Sequence, residues 1–192
     1  MIIALTGNFG SGKSTASKIF AERGFKIINS DQLVSEIYSS DPSVLSAITH
    51  HFGVSILTPQ NTLDKQKLAK IIFSDKQSLT WLENLIHPKV IQLINHYTEQ
   101  DPHSNWIVEI PILFEKNLAI HFDLSICLSA KVDLQLSRLL KKGITLEDAK
   151  ARIACQMPLE QKEQQADYVI DNNGDITSLR TKIYSFIDNL NL

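Results

Sequence analysis

The sequence predicts an α/β fold in which helices cover both faces of a five-stranded parallel sheet, the doubly wound arrangement. Three observations predict it. Short apolar runs, of the kind that buried parallel strands show, alternate with segments of helical periodicity. A glycine-rich loop joins the first apolar run to a helix, and a second apolar run follows, which predicts a right-handed crossover. Residues 32–100 carry mostly helical spacing and are too long for an ordinary crossover, which indicates an inserted helical subdomain.

The elements of the sheet and their connections follow from these runs. The first strand is predicted over residues 2–6, followed by a loop over 7–12 and a helix over 13–23, which Gly24 ends. The other predicted strands cover residues 25–28, 106–110, 124–128 and 168–170. Two helices, over 132–142 and 145–156, are separated by Gly143, and a last amphipathic helix includes residues 179–190.

Within the insertion, apolar residues at helical spacing predict successive helices around residues 33–37, 68–72 and 79–86. Pro88 is predicted to begin a separate helix, because proline is favoured in a first helical turn. Residues 51–57 give a weak strand signal, the single such signal in this stretch.

Charge and composition exclude several classes of protein. Nineteen Lys and Arg residues against twenty-one Asp and Glu give a net charge of −2, without the basic excess of a nucleic-acid or membrane-surface binder. The sequence shows no basic amino-terminal segment of the kind that targeting signals have. It also shows no apolar run of about 20 residues, the length that a membrane span needs. We therefore expect a cytoplasmic protein that binds neither nucleic acid nor a membrane. Cys127 and Cys155 are expected to be small buried residues.

Residues 7–14, with the sequence GNFGSGKS, match the phosphate-binding P-loop pattern of glycine, four residues, glycine, lysine and serine or threonine. The match lies where the chemistry requires it, after a buried strand and at the start of a helix. Glycines let successive backbone amides point into one anion-sized concavity, and the helix adds its positive end. Lys13 is then expected to reach the β- and γ-phosphates of a nucleotide, and the Ser14 hydroxyl to bind Mg²⁺. These residues predict a P-loop NTPase fold.

Asp31 is a candidate for the group that orients or deprotonates an attacking hydroxyl in phosphoryl transfer. It follows the second predicted strand, at the carboxyl edge of the sheet, where open α/β folds bind ligands. From position alone, the N-cap of a helix beginning near residue 32 is an equally good interpretation, with Ser30 as the competing cap. One residue can fill both roles.

Residues 131–162 carry seven Lys and Arg residues and four acidic ones, a net charge of +3 within a chain whose total is −2. Two basic helices separated by Gly143 are typical of a lid that closes over phosphate groups. Arg138 and Arg152 are assigned to that lid, whereas Lys141 and Lys150 are expected to face solvent.

Short motifs run along nearly the whole chain beyond the phosphate-binding loop. They begin with Ala-Leu-Thr-Gly at 4–7, the loop through Thr15, and Asp31. They continue with His87-Pro88, Pro-Ile-Leu-Phe-Glu at 111–115, Ala-Arg-Ile-Ala-Cys-Gln at 151–156, Lys162, Ala-Asp-Tyr-Val-Ile at 166–170 and Asn-Asn-Gly at 172–174. In this order and spacing the sequence resembles the dephospho-coenzyme A kinase family.

The resemblance implies an ATP-dependent transfer of the γ-phosphate to the ribose 3′-hydroxyl of dephospho-CoA, the last step of coenzyme A biosynthesis, with Mg²⁺ as cofactor. ATP and dephospho-CoA are then the small-molecule partners. The implied catalytic residues are Asp31, Lys13 and Arg138. The implied nucleotide-binding residues are Gly10, Ser11, Gly12, Lys13, Ser14, Thr15, Arg138, Arg152 and Asn173, with Ser14 also the magnesium ligand.

Three positions depart from the family's pattern. Asn29 occupies the first position of a usual Asp-x-Asp pair, which leaves Asp31 as the anionic base. Ser35 stands where a basic residue is common. Lys142 stands where the lid usually carries an arginine, whose bidentate fork lysine cannot reproduce.

Three further side chains have two interpretations each. Glu109 and Glu115 lie around the end of the third predicted strand and are candidates either for holding a magnesium-bound water or for a surface ion pair. His87 belongs to a family motif and is a candidate substrate contact, although a packing or capping role before Pro88 is favoured.

The predicted domains combine the motifs with the patterning. Residues 1–31, 101–137 and 166–192 form the nucleotide-binding core, 32–100 the CoA-binding helical insertion, and 138–165 the lid. Two other functions stay open at this point. One is a different small-molecule P-loop kinase, such as a nucleoside monophosphate kinase, and the other is a regulator that binds ATP without transferring phosphate.

Overall fold

The structure, a computed structural model, describes residues 1–190 and divides the chain into two compact units. The first unit contains residues 1–29 and the chain from Asp101 onward, and the second contains Ser30–Gln100. Within the described range, no helix is both long and apolar enough to cross a membrane.

The first unit is built on a five-stranded sheet whose paired strands are all parallel. Its strands are β1 (Ile2–Thr6), β2 (Lys26–Asn29), β3 (Trp106–Glu109), β4 (Leu124–Ser129) and β5 (Tyr168–Asp171), in the order β2-β3-β1-β4-β5. The register pairs Glu109 with both Leu5 and Asn29, so the carboxyl ends of the first three strands lie at one edge. The predicted fold class is confirmed, and each predicted strand is found within one or two residues of its expected ends.

Helices account for most of the remaining chain. In chain order they are α1 (Lys13–Glu22), α2 (Ser30–Ser40), α3 (Pro42–Phe52), α4 (Lys65–Ser74), α5 (Lys76–Glu99), α6 (Val132–Lys141), α7 (Leu146–Ala154), α8 (Leu159–Gln165) and α9 (Ile176–Asp188). Two short 3₁₀ helices cover Val54–Ile56 and Leu118–His121. The sequence pattern did not predict α8, because a helix of seven residues is too short to show an apolar period.

The hydrophobic core of the first unit lies between the sheet and the helices α1 and α9. Buried residues of the strands, such as Ile3 and Leu5, contact Phe20 of α1 and Ile183 of α9. The ring of Phe20 meets that of Phe186 edge to face, with centroids 6.2 Å apart. This packing fixes α1 beneath the sheet edge from which the loop of residues 7–12 emerges, and so holds the start of α1 in place.

The second unit consists of α2–α5 and the segment between α3 and α4. Asp41 caps α3 by accepting from the amides of Ser43 and Val44, and Lys89 of α5 donates to the same carboxylate at 2.6 Å. Asp64 and Asp75 cap α4 and α5 in the same way. The weak strand signal at residues 51–57 is wrong: α3 continues to Phe52, and a 3₁₀ helix follows Gly53, whose φ is +84°.

The helix α5 runs without interruption through Pro88, so the prediction of a separate helix beginning there is wrong. Proline inside a helix removes one hydrogen bond and crowds the preceding turn, at a cost of about 3 kcal/mol. Apolar residues recur every fourth position across the proline and are buried, namely Leu82, Ile86, Val90 and Ile94. Burying each of them is worth about 1.5–3 kcal/mol, which offsets the cost of the proline.

The helix α8 is anchored to the segment after β3 by a buried ion pair. Lys162 is fully buried, and its Nζ lies 2.7 Å from both Glu115 Oε1 and the carbonyl oxygen of Pro111. The amide of Met157 also donates to Glu115 Oε1, at 3.1 Å. Of the two interpretations of Glu115, the structure therefore places it in an ion pair, but in the interior rather than on the surface.

Replacing Lys162 by methionine is expected to lower the free energy of unfolding by about 3 kcal/mol, because it leaves a largely buried carboxylate without its cation. The second oxygen of Glu115, Oε2, is already buried and has no hydrogen-bond partner within residues 1–190. Urea denaturation measures the loss. The matched control is Lys182→Met, which breaks an exposed pair with Asp171 and should cost less than about 1 kcal/mol. Equal losses in the two variants would contradict the role of the buried pair.

Candidate active site

The loop of residues 7–12 has the backbone conformation of a phosphate cradle. Gly12 has φ +100° and precedes α1, and the amides of Thr15 and Ala16 donate to its carbonyl at 2.9 and 3.0 Å. The first amides of a helix lack partners within it, so those of Lys13 and Ser14 add to the positive end at the loop. The predicted nucleotide residues Gly10 to Thr15 thus form one continuous turn into α1.

Neither Gly10 nor Gly12 leaves room for a side chain. A Cβ atom at Gly10 would lie 2.8 Å from the carbonyl oxygen of Gln135, and one at Gly12 would lie 2.5 Å from Asn172 Nδ2. Both residues also have positive φ, which residues with side chains adopt only at a cost. Sequence spacing predicted the glycines, and the structure adds the two neighbours that require them.

The substitution Gly12→Ala is expected to weaken ATP binding about tenfold or more, because backbone strain and the displaced Asn172 both distort the loop. Isothermal titration of ATP measures the change. Gly24→Ala is the control, since Gly24 has a similar φ of +87° but nothing within 4 Å of the added methyl group. That variant should lose stability and keep its ATP affinity. Weakened binding in both variants would assign the effect to general destabilisation.

Lys13 and Ser14 begin α1 and point to different partners. Lys13 Nζ donates to the carbonyl oxygens of Gly7 and Asn8, at 2.8 and 3.2 Å. Ser14 Oγ lies 3.5 Å from Glu109 Oε2, and Asn29 Nδ2 lies 3.5 Å from the same oxygen. Glu109 is 6% exposed and Ser14 is exposed, so a sheltered carboxylate lies beside an exposed hydroxyl at the carboxyl edge of the sheet.

This pair of oxygen ligands suits Mg²⁺, which prefers hard oxygen donors. Across residues 1–190, no cluster of three His, Cys, Asp or Glu side chains is placed to hold a metal ion. Mg²⁺ is commonly held by one or two protein oxygens together with phosphates and waters, and Ser14 with Glu109 fits that mode. The residues present therefore fit the expected cofactor.

Arg138 on α6 and Asn172 after β5 hold the loop from outside by converging on one carbonyl group. Arg138 donates to the carbonyl oxygens of Ser11 and Asn172, at 3.2 and 2.8 Å. Asn172 Nδ2 donates to the Ser11 carbonyl at 2.7 Å. The structure thus brings the predicted residue Arg138 directly onto the phosphate-binding loop.

The structure also separates the two asparagines that follow β5. Asn173 accepts from the amide of Lys131 at 2.7 Å and is bonded to the Asp171 carboxylate, whose pKa the bound ammonium of Lys182 lowers. Asn172 contacts the loop instead, although the sequence pattern gave it no role in the site. The Asn-Asn-Gly motif pointed to this turn, but it does not indicate which of the two asparagine side chains contacts the loop, and only the structure shows this.

Arg152 and Gln156 reach the loop through Phe9. The guanidinium carbon of Arg152 lies 5.3 Å from the centre of the Phe9 ring, and Gln156 Oε1 accepts from the Phe9 amide at 2.6 Å. The charge of Arg152 predicted its place in the site, whereas Gln156 belongs to a motif that indicates no role for it. Lys141, Lys142 and Lys150 are exposed.

Asp31 is the second residue of α2, which begins at Ser30. The alternative that Asp31 caps a helix beginning near residue 32 is therefore wrong, because the helix starts two residues earlier and includes it. Its carboxylate lies in the first turn, where a negative charge is favoured by the helix dipole. Asp31 is exposed, and along the chain it follows Asn29, the residue beside Glu109, by two positions.

The remaining candidates are placed as follows. His87 lies within α5 and precedes the internal proline. Cys127 is buried, and burial raises the pKa of its thiol to about 12. Cys155 is exposed, so the expectation that both cysteines are buried is wrong for it. It is the C-cap residue that directly follows α7.

Comparisons with known proteins match this chain along its length. The family model described as dephospho-CoA kinase matches residues 1–178. A dephospho-CoA kinase of Carboxydothermus hydrogenoformans is 38% identical over 97% of this chain and 92% of its own length. Among solved structures, a Thermus thermophilus protein matches with a TM-score of 0.87 and 27% identity, covering 100% of this chain and 98% of that one. Dephospho-CoA kinase from Campylobacter jejuni matches with a TM-score of 0.71 and 26% identity, covering 98% and 96%.

Proposed function

The chain belongs to the dephospho-CoA kinase family. We propose that phosphoryl transfer from ATP to dephospho-CoA is carried out by its phosphate-binding loop, Asp31 and the α6–α8 segment. The chain is a kinase that uses ATP to phosphorylate dephospho-CoA, in the biosynthesis of coenzyme A. The acceptor is the ribose 3′-hydroxyl, and the products are CoA and ADP. The dependence on ATP supports a cytoplasmic location.

The observation that carries the proposal is the loop of residues 7–14, pinned at the Ser11 carbonyl by Arg138 and Asn172. Its amides would bind the phosphates of ATP, with the remaining nucleotide contacts expected from Thr15, Arg152 and the Asn173 turn. Lys13 is proposed to leave its carbonyl partners and to reach the β- and γ-phosphates. Arg138 would stabilise the charge that develops during transfer.

Mg²⁺ is the proposed cofactor, held on the protein side by Ser14 with Glu109 nearby. When bound with ATP, Mg²⁺ supplies positive charge that offsets the charge of the phosphates. The chain's own part is to place the Ser14 hydroxyl at the loop and to keep the Glu109 carboxylate sheltered beside it.

Asp31 is the proposed general base, which would accept or orient the proton of the attacking 3′-hydroxyl. Its exposure and its position, two residues after the end of β2, support this role. The helical unit of residues 30–100 is proposed to bind the dephospho-CoA substrate, and residues 138–165 are proposed to close over the nucleotide as a lid.

The first test is release of ADP from Mg-ATP by the purified protein, with and without dephospho-CoA, and with AMP and CMP as control acceptors. We expect stimulation by dephospho-CoA alone, with CoA as product. Stimulation by AMP or CMP would keep the phosphate site and replace the acceptor with a nucleotide. ATP binding without stimulation by any of the three would favour a regulator that transfers no phosphate.

A further inference from the structure

The contact between Gln156 and Phe9 joins residues 147 positions apart in the chain. Gln156 Oε1 accepts from the Phe9 amide at 2.6 Å, and Phe9 is the third residue of the phosphate-binding loop. One amide of the loop is thus bonded to a neutral carboxamide oxygen. Because the loop binds phosphate through its amides, the partner of this amide bears directly on the shape and charge of the concavity.

The backbone around Gln156 is itself fixed. Its amide donates to the carbonyl of Ile153, and the next amide, that of Met157, donates to Glu115 Oε1 at 3.1 Å. Glu115 is in turn held by the fully buried Lys162. The carboxamide therefore extends from an anchored backbone, and a fixed donor–acceptor geometry is what positions a loop.

Phe9 is held by a second contact, through its side chain. Arg152, four residues before Gln156, lies over the Phe9 ring with its guanidinium carbon 5.3 Å from the ring centre. The end of α7 therefore holds Phe9 at its backbone through Gln156 and at its side chain through Arg152. The glycine residue that follows, Gly10, has φ +85° and can adopt other conformations readily, so a firm hold on Phe9 limits how the loop moves.

The chemistry of the acceptor matters as much as its position. A carboxylate would make a stronger hydrogen bond to an amide than a carboxamide does. It would also place a negative charge beside a site that must bind several phosphate charges. Glutamine provides the acceptor without the charge.

We propose that Gln156 is a positioning residue of the nucleotide site, whose neutral oxygen holds the Phe9 amide and keeps the loop in its phosphate-binding shape without repelling the phosphates. This inference rests on the proposed function only in taking ATP as the ligand. Its test therefore measures ATP binding in the absence of any acceptor, so that a different acceptor would leave the result unaffected.

The experiment compares two variants of Gln156 by titration with Mg-ATP at low and high salt. Gln156→Met removes the acceptor and should weaken ATP binding about fivefold, independently of salt. Gln156→Glu keeps an oxygen at the same place and adds a charge, which the nearby Arg152 offsets in part. It should weaken binding about 30-fold at low salt and distinctly less at high salt, because salt screens the repulsion.

The matched controls are Asn189→Met and Asn189→Asp, at an exposed amide side chain that follows α9 and lies outside the loop and the proposed lid. Both should bind ATP as the unmodified protein does. A purely structural role for Gln156 predicts the opposite order, because Gln156→Glu retains the hydrogen bond that Gln156→Met loses. Equal affinities of the Gln156 variants and their Asn189 controls, or a Gln156→Glu affinity unaffected by salt, would overturn the proposal. Thermal unfolding establishes that each variant is folded. If Gln156→Met does not fold, the salt dependence of ATP binding by Gln156→Glu still decides the test.

Discussion

Replacing Asp31 by asparagine is expected to lower kcat about 10²- to 10⁴-fold while leaving ATP affinity unchanged. Asparagine has the same shape but cannot take a proton from the attacking hydroxyl. The second candidate for that role on sequence grounds is absent, because Asn29 already occupies the other position of the usual acidic pair. Steady-state kinetics with dephospho-CoA and an independent ATP titration separate the two effects.

The control for this variant is Glu36→Gln, which neutralises another carboxylate of α2. Glu36 accepts a hydrogen bond from the hydroxyl of Tyr97 at 3.1 Å and is exposed, so its loss should change kcat less than about twofold. An Asp31→Asn protein with kcat within threefold of the unmodified enzyme would exclude Asp31 as the base. A parallel loss of ATP affinity would instead indicate a structural defect.

Truncation of Arg138 to alanine is expected to reduce kcat about 10²- to 10³-fold and to raise the Kd for ATP. The substitution removes a positive charge proposed to face the transferred phosphate. It also removes the two hydrogen bonds that hold the carbonyls of Ser11 and Asn172. Rapid-quench kinetics at saturating ATP measure the first effect, and calorimetric titration measures the second.

Two variants separate charge from geometry at this position. Arg138→Lys keeps the charge but lacks the planar fork whose two terminal nitrogens donate separately to the two carbonyls, so it should recover only part of the lost rate. Lys141→Ala removes an exposed charge one turn later on α6 and should leave the kinetics unchanged within about twofold. If Arg138→Lys were fully active, the two carbonyl contacts would have no catalytic importance.

The sheet was predictable because its strands are continuous apolar runs. The three central strands, β1, β3 and β4, are almost wholly buried, so the composition of a few consecutive residues is enough to identify them. Neither α8 nor α5 was predicted correctly, α8 because it is too short to show an apolar period and α5 because its packing carries it through a proline. Pro88 lies inside a helix because residues on both sides of it are buried together, and the prediction gave more weight to proline's preference for a first helical turn than to the apolar period that crosses it.

The residues of the candidate site also fall into two groups, those that a local sequence pattern predicts and those that only the structure reveals. The phosphate-binding loop is one contiguous segment, so its pattern predicted the conformation that the structure has. Sequence patterns do not reveal the contacts made by Asn172, Gln156 and Lys162. Their partners lie between 34 and 161 positions away in the chain, and several of those partners are backbone groups, which every residue has. Their positions in recognised motifs indicated that they matter, but not which atoms they contact.

The two hydrogen bonds that converge on the Ser11 carbonyl also act on the far side of that peptide group. A peptide is one conjugated unit, so donors that draw electron density towards its oxygen leave its N–H more positive. That N–H belongs to Gly12, one of the donors expected to face the phosphates. The charge of Arg138 therefore polarises the Gly12 N–H bond, which is expected to donate to the ligand's phosphate. This neutral amide becomes a stronger hydrogen-bond donor to an anion, and no further side chain has to fit into the site.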